Sequence, residues 1–120
     1  MALEVSVGTT VIADLVIEVT SEGMIERDIA VFYGNYDQNT IVGGAVQTGV
    51  SLISGSNTIS INFDAEYEGT FDVWAVVGVY DEASGQFTSV DDTRVLKGAL
   101  VVKPSAPPVS IRITGLTIHT

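Results

Sequence analysis

Cysteine is absent from the chain. That excludes disulfides, thiolate metal centres and cysteine nucleophiles. Positive charge is scarce: five Lys and Arg stand against fifteen Asp and Glu, a net charge of −10. Phosphate backbones are held by clustered Lys and Arg, so no nucleic-acid partner is expected. An anionic membrane surface is disfavoured on the same ground. The one histidine, His119, sits next to the last residue. A Ser-His-Asp triad needs a positioned, partly buried imidazole, so no catalysis is expected from it. No apolar run reaches about 18 residues, so no membrane insertion is expected. Dinucleotide and Walker glycine patterns are missing; Gly43-Gly44 lies between short β segments, with no helix N-terminus to hold phosphate.

What is present favours strands. Hydrophobic residues make up 46% of 120 residues and the mean hydropathy is +0.38, so the chain is globular and fits one domain. Much of the apolar content is Val and Ile, with Thr beside it, residues that suit a pleated surface better than a helix. Leu3, Val5 and Val7 alternate with Glu4 and Ser6 as a first strand. Val11, Ala13, Leu15, Ile17 and Val19 alternate with Asp14, Glu18 and Thr20 as a long second one. Residues 27–33 read as a third strand, and residues 34–39 as loop. Residues 40–53 predict one or two short edge strands around Gly43-Gly44. Ile59, Ile61 and Phe63 mark another. Residues 70–80 form the clearest strand, with Phe71, Val73, Ala75, Val77 and Val79 on one face and Trp74 and Val76 on the other, so that both faces are expected to be partly covered. Residues 87–90 extend the following hairpin, and residues 94–103 return as a strand with Gly98 as a candidate bulge. About seven strands spaced by turn signals predict an all-β fold, a single antiparallel immunoglobulin-like β-sandwich.

Two segments carry a family resemblance. Residues 11–23, VIADLVIEVTSEG, resemble the second strand and turn of CARDB-like adhesion modules or fibronectin-III-like modules. Residues 69–81, GTFDVWAVVGVYD, resemble their penultimate strand, entered through a Gly-x-aromatic corner. The resemblance implies a sandwich fold; fold does not imply function. At the place of the second immunoglobulin cysteine stands Val73, and at that of the corner tyrosine stands Phe71.

Candidate chemistry is confined to acids and aromatics. Calcium takes six to eight oxygens from flexible acidic loops. Asp81, Glu82, Asp91 and Asp92 lie at the two ends of one connection and are the candidate calcium ligands, against the reading that they are a solvated acidic surface. No EF-hand spacing occurs, and no cofactor is expected. Glu66 and Glu68 lie in an acidic corner, but a glycosidase needs two carboxyls facing across a cleft, which a narrow sandwich does not offer. Trp74, Tyr33, Tyr36, Tyr67 and Tyr80 would make a sugar-stacking platform if they gathered; cross-strand packing is the expectation instead.

The C-terminal region divides the chain. Residues 1–103 account for the sandwich, residues 104–108 are a Pro-rich hinge, and residues 109–120 are a β arm or final strand. Three fates are open: the last strand of its own domain, a linker into a further domain, or an arm that pairs with a neighbour. In the last case backbone bonds supply affinity, and Val109, Ile111, Ile113, Leu116 and Ile118 fill pockets. The start, MALEV, shows no basic n-region or apolar h-region, so no signal peptide is expected, and virion or cytoplasm is favoured over Sec export. These features point to a non-enzymatic structural or assembly protein with protein partners or self-association, most simply a virion decoration or capsid-associated subunit. The alternatives are a binding or adhesion module of an extracellular protein, with a carbohydrate or protein ligand, and a pilus-type donor-strand subunit.

Overall fold

The computed structural model describes residues 2–105 and 112–120; Val109 and Ile111 lie outside the described residues. Seven strands follow one another: β1 (Leu3–Ser6), β2 (Thr9–Val19), β3 (Ile25–Asn35), β4 (Thr40–Leu52), β5 (Gly55–Ala65), β6 (Gly69–Asp81) and β7 (Gln86–Lys103). They form two sheets, one of five strands in the order β1-β7-β6-β3-β4 and one of two, β2-β5. The second and fifth strands share one sheet and the third, sixth and seventh share the other, the immunoglobulin-like partition of an all-β sandwich.

One pairing departs from the antiparallel expectation: β1 runs parallel to the end of β7, with Leu3 opposite Leu100 and Ser6 opposite Lys103. The reason is local. β1 leads straight into β2 of the other layer through Val7-Gly8, and the amides of Val7 and Gly8 bond to the carbonyls of Lys103 and Ala65 at 2.9 and 2.8 Å. The first strand thus stitches the two sheets together at one end. Residues 40–52 are one edge strand, the first of the two readings their sequence leaves open but longer than expected, and residues 86–103 are one strand rather than two. Bulges keep these long strands paired. Over the shared ladder β7 spends four more residues than β6, absorbed at three register shifts. Gly98 sits in the widest of these, at φ +58°, where its missing Cβ removes the strain.

The core lies between the layers. Ile29, Val31 and Tyr33 of β3 are almost fully buried, with Ile61, Phe63 and Ala65 of β5 above them and Leu52, Leu100 and Val102 beside them. Tyr33 is its centre. Its ring stacks on Phe63 at 5.2 Å and meets Phe71 edge-on at 5.2 Å. Its hydroxyl accepts a 3.1 Å bond from the Glu66 amide, tying β3 to the corner that follows β5. Phe71, at the corner place, has no hydroxyl to offer, and this bond from β3 ties the same corner by a different route. Beside it Gly44 has φ +151°, and a Cβ there would lie 2.2 Å from the Val31 carbonyl oxygen.

The outer face of the larger sheet carries a second, smaller cluster. Phe32 and Trp74 are ladder partners with ring centroids 6.0 Å apart, and Tyr36 packs edge-on against Trp74 at 5.3 Å. Trp74, Val76 and Ala30 are buried there, so both faces of β6 are covered, as its sequence indicates.

Gly44→Ala is expected to lower stability by about 2 kcal/mol or more, through backbone strain and the close carbonyl. Tyr33→Phe should cost about 1–2 kcal/mol by orphaning the Glu66 amide. Urea unfolding of both variants against the parent checks these values, and an unchanged midpoint for Gly44→Ala would contradict the geometry.

Candidate functional site

The β2-β5 ribbon is the most regular part of the molecule. Eleven residues of β2 pair with eleven of β5, from Thr9 opposite Ala65 to Val19 opposite Gly55, without a single register shift. Among the described residues no strand pairs with the other edge of either one. Long, straight, unpaired edges are templates for another strand. The outward face of β2 adds apolar surface: Ile12 and Val16 are 63% and 69% exposed. Asp14 lies between them, accepting the Ser60 hydroxyl at 2.5 Å, and Glu18 follows. Asp64 of β5 accepts the Thr10 hydroxyl at 2.7 Å. This face is thus a mixed apolar and acidic surface.

The described part of the C-terminal segment, residues 112–120, forms no strand in this chain. Ile113, Leu116 and Ile118 are 86%, 88% and 92% exposed. Among the described residues they are the three most exposed of the large apolar side chains.

The four candidate calcium ligands do not converge. Asp81 and Glu82 sit at the tip of the β6-β7 hairpin, where Asp81 binds its own turn through the Ala83 amide at 3.1 Å. Asp92 stands opposite Val77, four ladder positions down β6 from Asp81. Asp91 is held by Arg27 at 2.8 Å. The connection after β6 is a tight turn, Asp81 pairing with Gln86, so the two acid pairs lie on different levels of one ladder and not at two ends of one loop. Among the described residues no three metal-ligating side chains come together.

Two other carboxylates do structural work at the bulges. Asp28 of β3 accepts the Gly49 amide at 2.9 Å and the Tyr80 amide at 2.7 Å, bridging β4 and β6 at one end of the sheet. Asp72 of β6 does the same at the other end, accepting the Gly98 amide at 2.8 Å and the Tyr36 amide at 3.0 Å. Those amides, Gly98 first and then Tyr36, hold its carboxyl below the usual aspartate range, and Lys97 at 3.3 Å adds to the effect. Lys97 in turn is shifted upward, chiefly by its bond to Asp37. A sequence reading treats both acids as surface charge. Their signal is faint: an acid in the middle of an apolar strand, opposite a Gly.

The aromatic residues form no shared platform. Tyr33 lies in the core and Trp74 is buried under Tyr36, while Tyr80 packs on its ladder partner Phe87 at 5.2 Å. A depression of about 330 Å³ opens between Gly43-Gly44 of β4 and Asn62, Asp64 and Glu66 at the end of β5. Asp64 is tied to Thr10 there, and the Tyr33 hydroxyl is bonded to the Glu66 amide. His119 is exposed in the C-terminal segment.

Set against protein-family models, curated proteins and solved structures, the chain shows no significant match to any of them. The architecture is an all-β sandwich whose two-stranded layer has, among the described residues, no further strand on either edge, followed by exposed residues 112–120. One further feature is readable in the sequence once the arm is in view. Every acid lies at or before Asp92; beyond it come only Arg94, Lys97, Lys103, Arg112 and His119. The chain is strongly acidic for most of its length and basic at its end, a distribution that net charge alone conceals.

Because folding lowers the Asp72 pKa, its contribution is present above the ordinary aspartate value near pH 4 and is lost as pH falls through the lower folded value. Asp72→Asn should therefore be less stable than the parent at pH 7, with the two converging below about pH 4. Urea midpoints measured from pH 7 to pH 2 check this; a gap that stays constant over that range would contradict it.

Proposed function

We propose that this chain is a non-enzymatic assembly protein that joins a larger particle through its C-terminal arm and its sheet edges. The supporting observation is the pairing of opposites within one chain: an arm whose Ile113, Leu116 and Ile118 face solvent, and a sandwich layer whose strands end in unpaired edges. Extended segments that add to sheet edges gain affinity from backbone bonds and specificity from alternate side chains. The acidic body keeps such edges soluble and apart until a matching segment arrives. A virion decoration or capsid-associated subunit is the particular setting we infer. Such a subunit needs a compact, stable, cysteine-free body and a separate docking segment, and repeated copies of one surface offer many equivalent docking places.

The division of labour is testable by removing residues 104–120. The body retains all seven strands and its core without them. The truncated chain is expected to melt within about 2 °C of the full one, since none of the described residues it loses is buried. It should fail to assemble with its own kind or with its particle, as read by sedimentation and by particle binding. Loss of folding on truncation would make the segment the domain's last core strand and end the arm reading. Undiminished assembly would end it as well.

A further inference from the structure

The sandwich is incomplete along one flank. β1 pairs only with residues 100–103 of β7, so it closes one end and stops. Beyond it the inner face of the larger sheet is poorly covered. Val73, Ala75 and Val77 of β6 are half-buried, whereas the inward residues of the neighbouring β3 are almost fully buried. Leu96, opposite Val73 in the ladder and therefore on the same face, is 51% exposed. The covering layer shows the matching deficit. β5 stands against β4 and β3, and β2 springs from β1, so β2 is the strand on the β6-β7 side. Its inward Ala13, Leu15 and Ile17 are only half-buried. The edge of β2 overlooking this flank is unpaired among the described residues. An unpaired backbone edge thus runs beside a row of half-buried apolar side chains.

We propose that residues 112–120 of one copy add as a third strand to the unpaired edge of β2 in a second copy. This deepens the assembly reading above and rests on it. Three observations select that occupant. The lengths agree: nine described arm residues against the eleven of β2. The side-chain pattern fits a two-faced strand, with Leu116 and Ile118 on one face towards Leu15 and Ile17, and Ile113 and His119 on the other, the face of Ile12, Asp14, Val16 and Glu18. The charges are complementary overall, since the arm carries Arg112 and no acid while the body holds all fifteen acids; by the same alternation His119 falls on the face of Asp14 and Glu18, and Arg112 at the start of the segment on the face of Leu116. Within a single chain the arm and the edge remain apart, each unsatisfied. An arm given to one neighbour and an edge offered to another is a heterologous contact, which builds rings when it closes and filaments when it does not.

Sedimentation velocity of the full chain over a wide dilution range tests the proposal, with two variants that alter exposed side chains. Leu116→Asp with Ile118→Asp disables the arm; Ile12→Lys with Val16→Lys blunts the edge. The parent should self-associate with concentration. Each variant should weaken that association by at least about a hundredfold, the loss expected from uncovering two apolar side chains, while keeping the parent's Tm. An equimolar mixture of the two variants should form a heterodimer and nothing larger, because only one intact arm and one intact edge can meet. Assembly lost with the arm variant but kept with the edge variant would overturn β2 as the receptor and leave arm-driven assembly standing. So would a mixture that forms no heterodimer. A parent that stays monomeric, yet loses several degrees of Tm with either variant, would place the arm on its own β2 and overturn the second copy. A monomeric parent indifferent to both variants would overturn this inference and the assembly reading together.

Discussion

The structure depends on one mismatch of width: a two-stranded layer has to cover a five-stranded one. At about 4.8 Å per strand spacing, the outer strands of the larger sheet lie about 19 Å apart and those of the smaller about 5 Å apart. The narrow layer can seal only the middle. It does so over β3, where Ile29, Val31 and Tyr33 are almost fully buried. On one side the corner from β4 into β5 joins the layers, with Val42, Ala45 and Val50 half-buried beside it. On the other, β1 closes only one end, and the half-buried rows of β2 and β6 mark where cover runs out.

Other features follow from that constraint. A narrow layer has two edges and no interior strand, so among the described residues no strand pairs with the outer edge of β2 or β5. The larger sheet solves its own strain by bulging. β7 takes up four surplus residues, and Asp28 and Asp72 collect the amides that the irregular ladder releases. These carboxylates are fixed by backbone donors, which turns part of the acidic composition into architecture. Tyr33 performs the equivalent service at the closed end, where one ring fills the core and one hydroxyl receives the amide at the β5-β6 corner.

The arm gains meaning in this setting. Proline and alternating apolar residues at the end of a chain have several readings in isolation. In the structure the described part of that segment, residues 112–120, forms no strand and exposes Ile113, Leu116 and Ile118, beside a sandwich whose β2 and β6 rows are half-buried. The charge distribution points the same way, with acids concentrated in the body and the last acid at Asp92.

Much of the fold was legible before the tertiary structure. Period-two alternation located β2, β5 and β6 and their inward faces, because a half-buried strand shows its two environments directly in its residues. The two covered faces of β6 were legible for the same reason, Trp74 and Val76 opposing Val73 and Val77. Less was legible where bulges break the period: Gly43-Gly44 and residues 91–93 suggested breaks in strands that are continuous, since a bulge resets alternation without ending the pairing. The short sequence separation of Asp81 and Glu82 from Asp91 and Asp92 reads as the two ends of one connection, whereas the ladder spreads the four acids along its length. By itself the sequence determined an all-β chain, its strand faces, its cysteine-free acidic body and the apolar pattern of its final residues, all of which are local properties of composition and period. Only the tertiary structure decided that β1 would run parallel to β7, that Asp28 and Asp72 would bind bulge amides, and that the sandwich would be left open beside β2. Each of these depends on which strands become neighbours, and that is settled by long-range pairing between segments whose local patterns are alike.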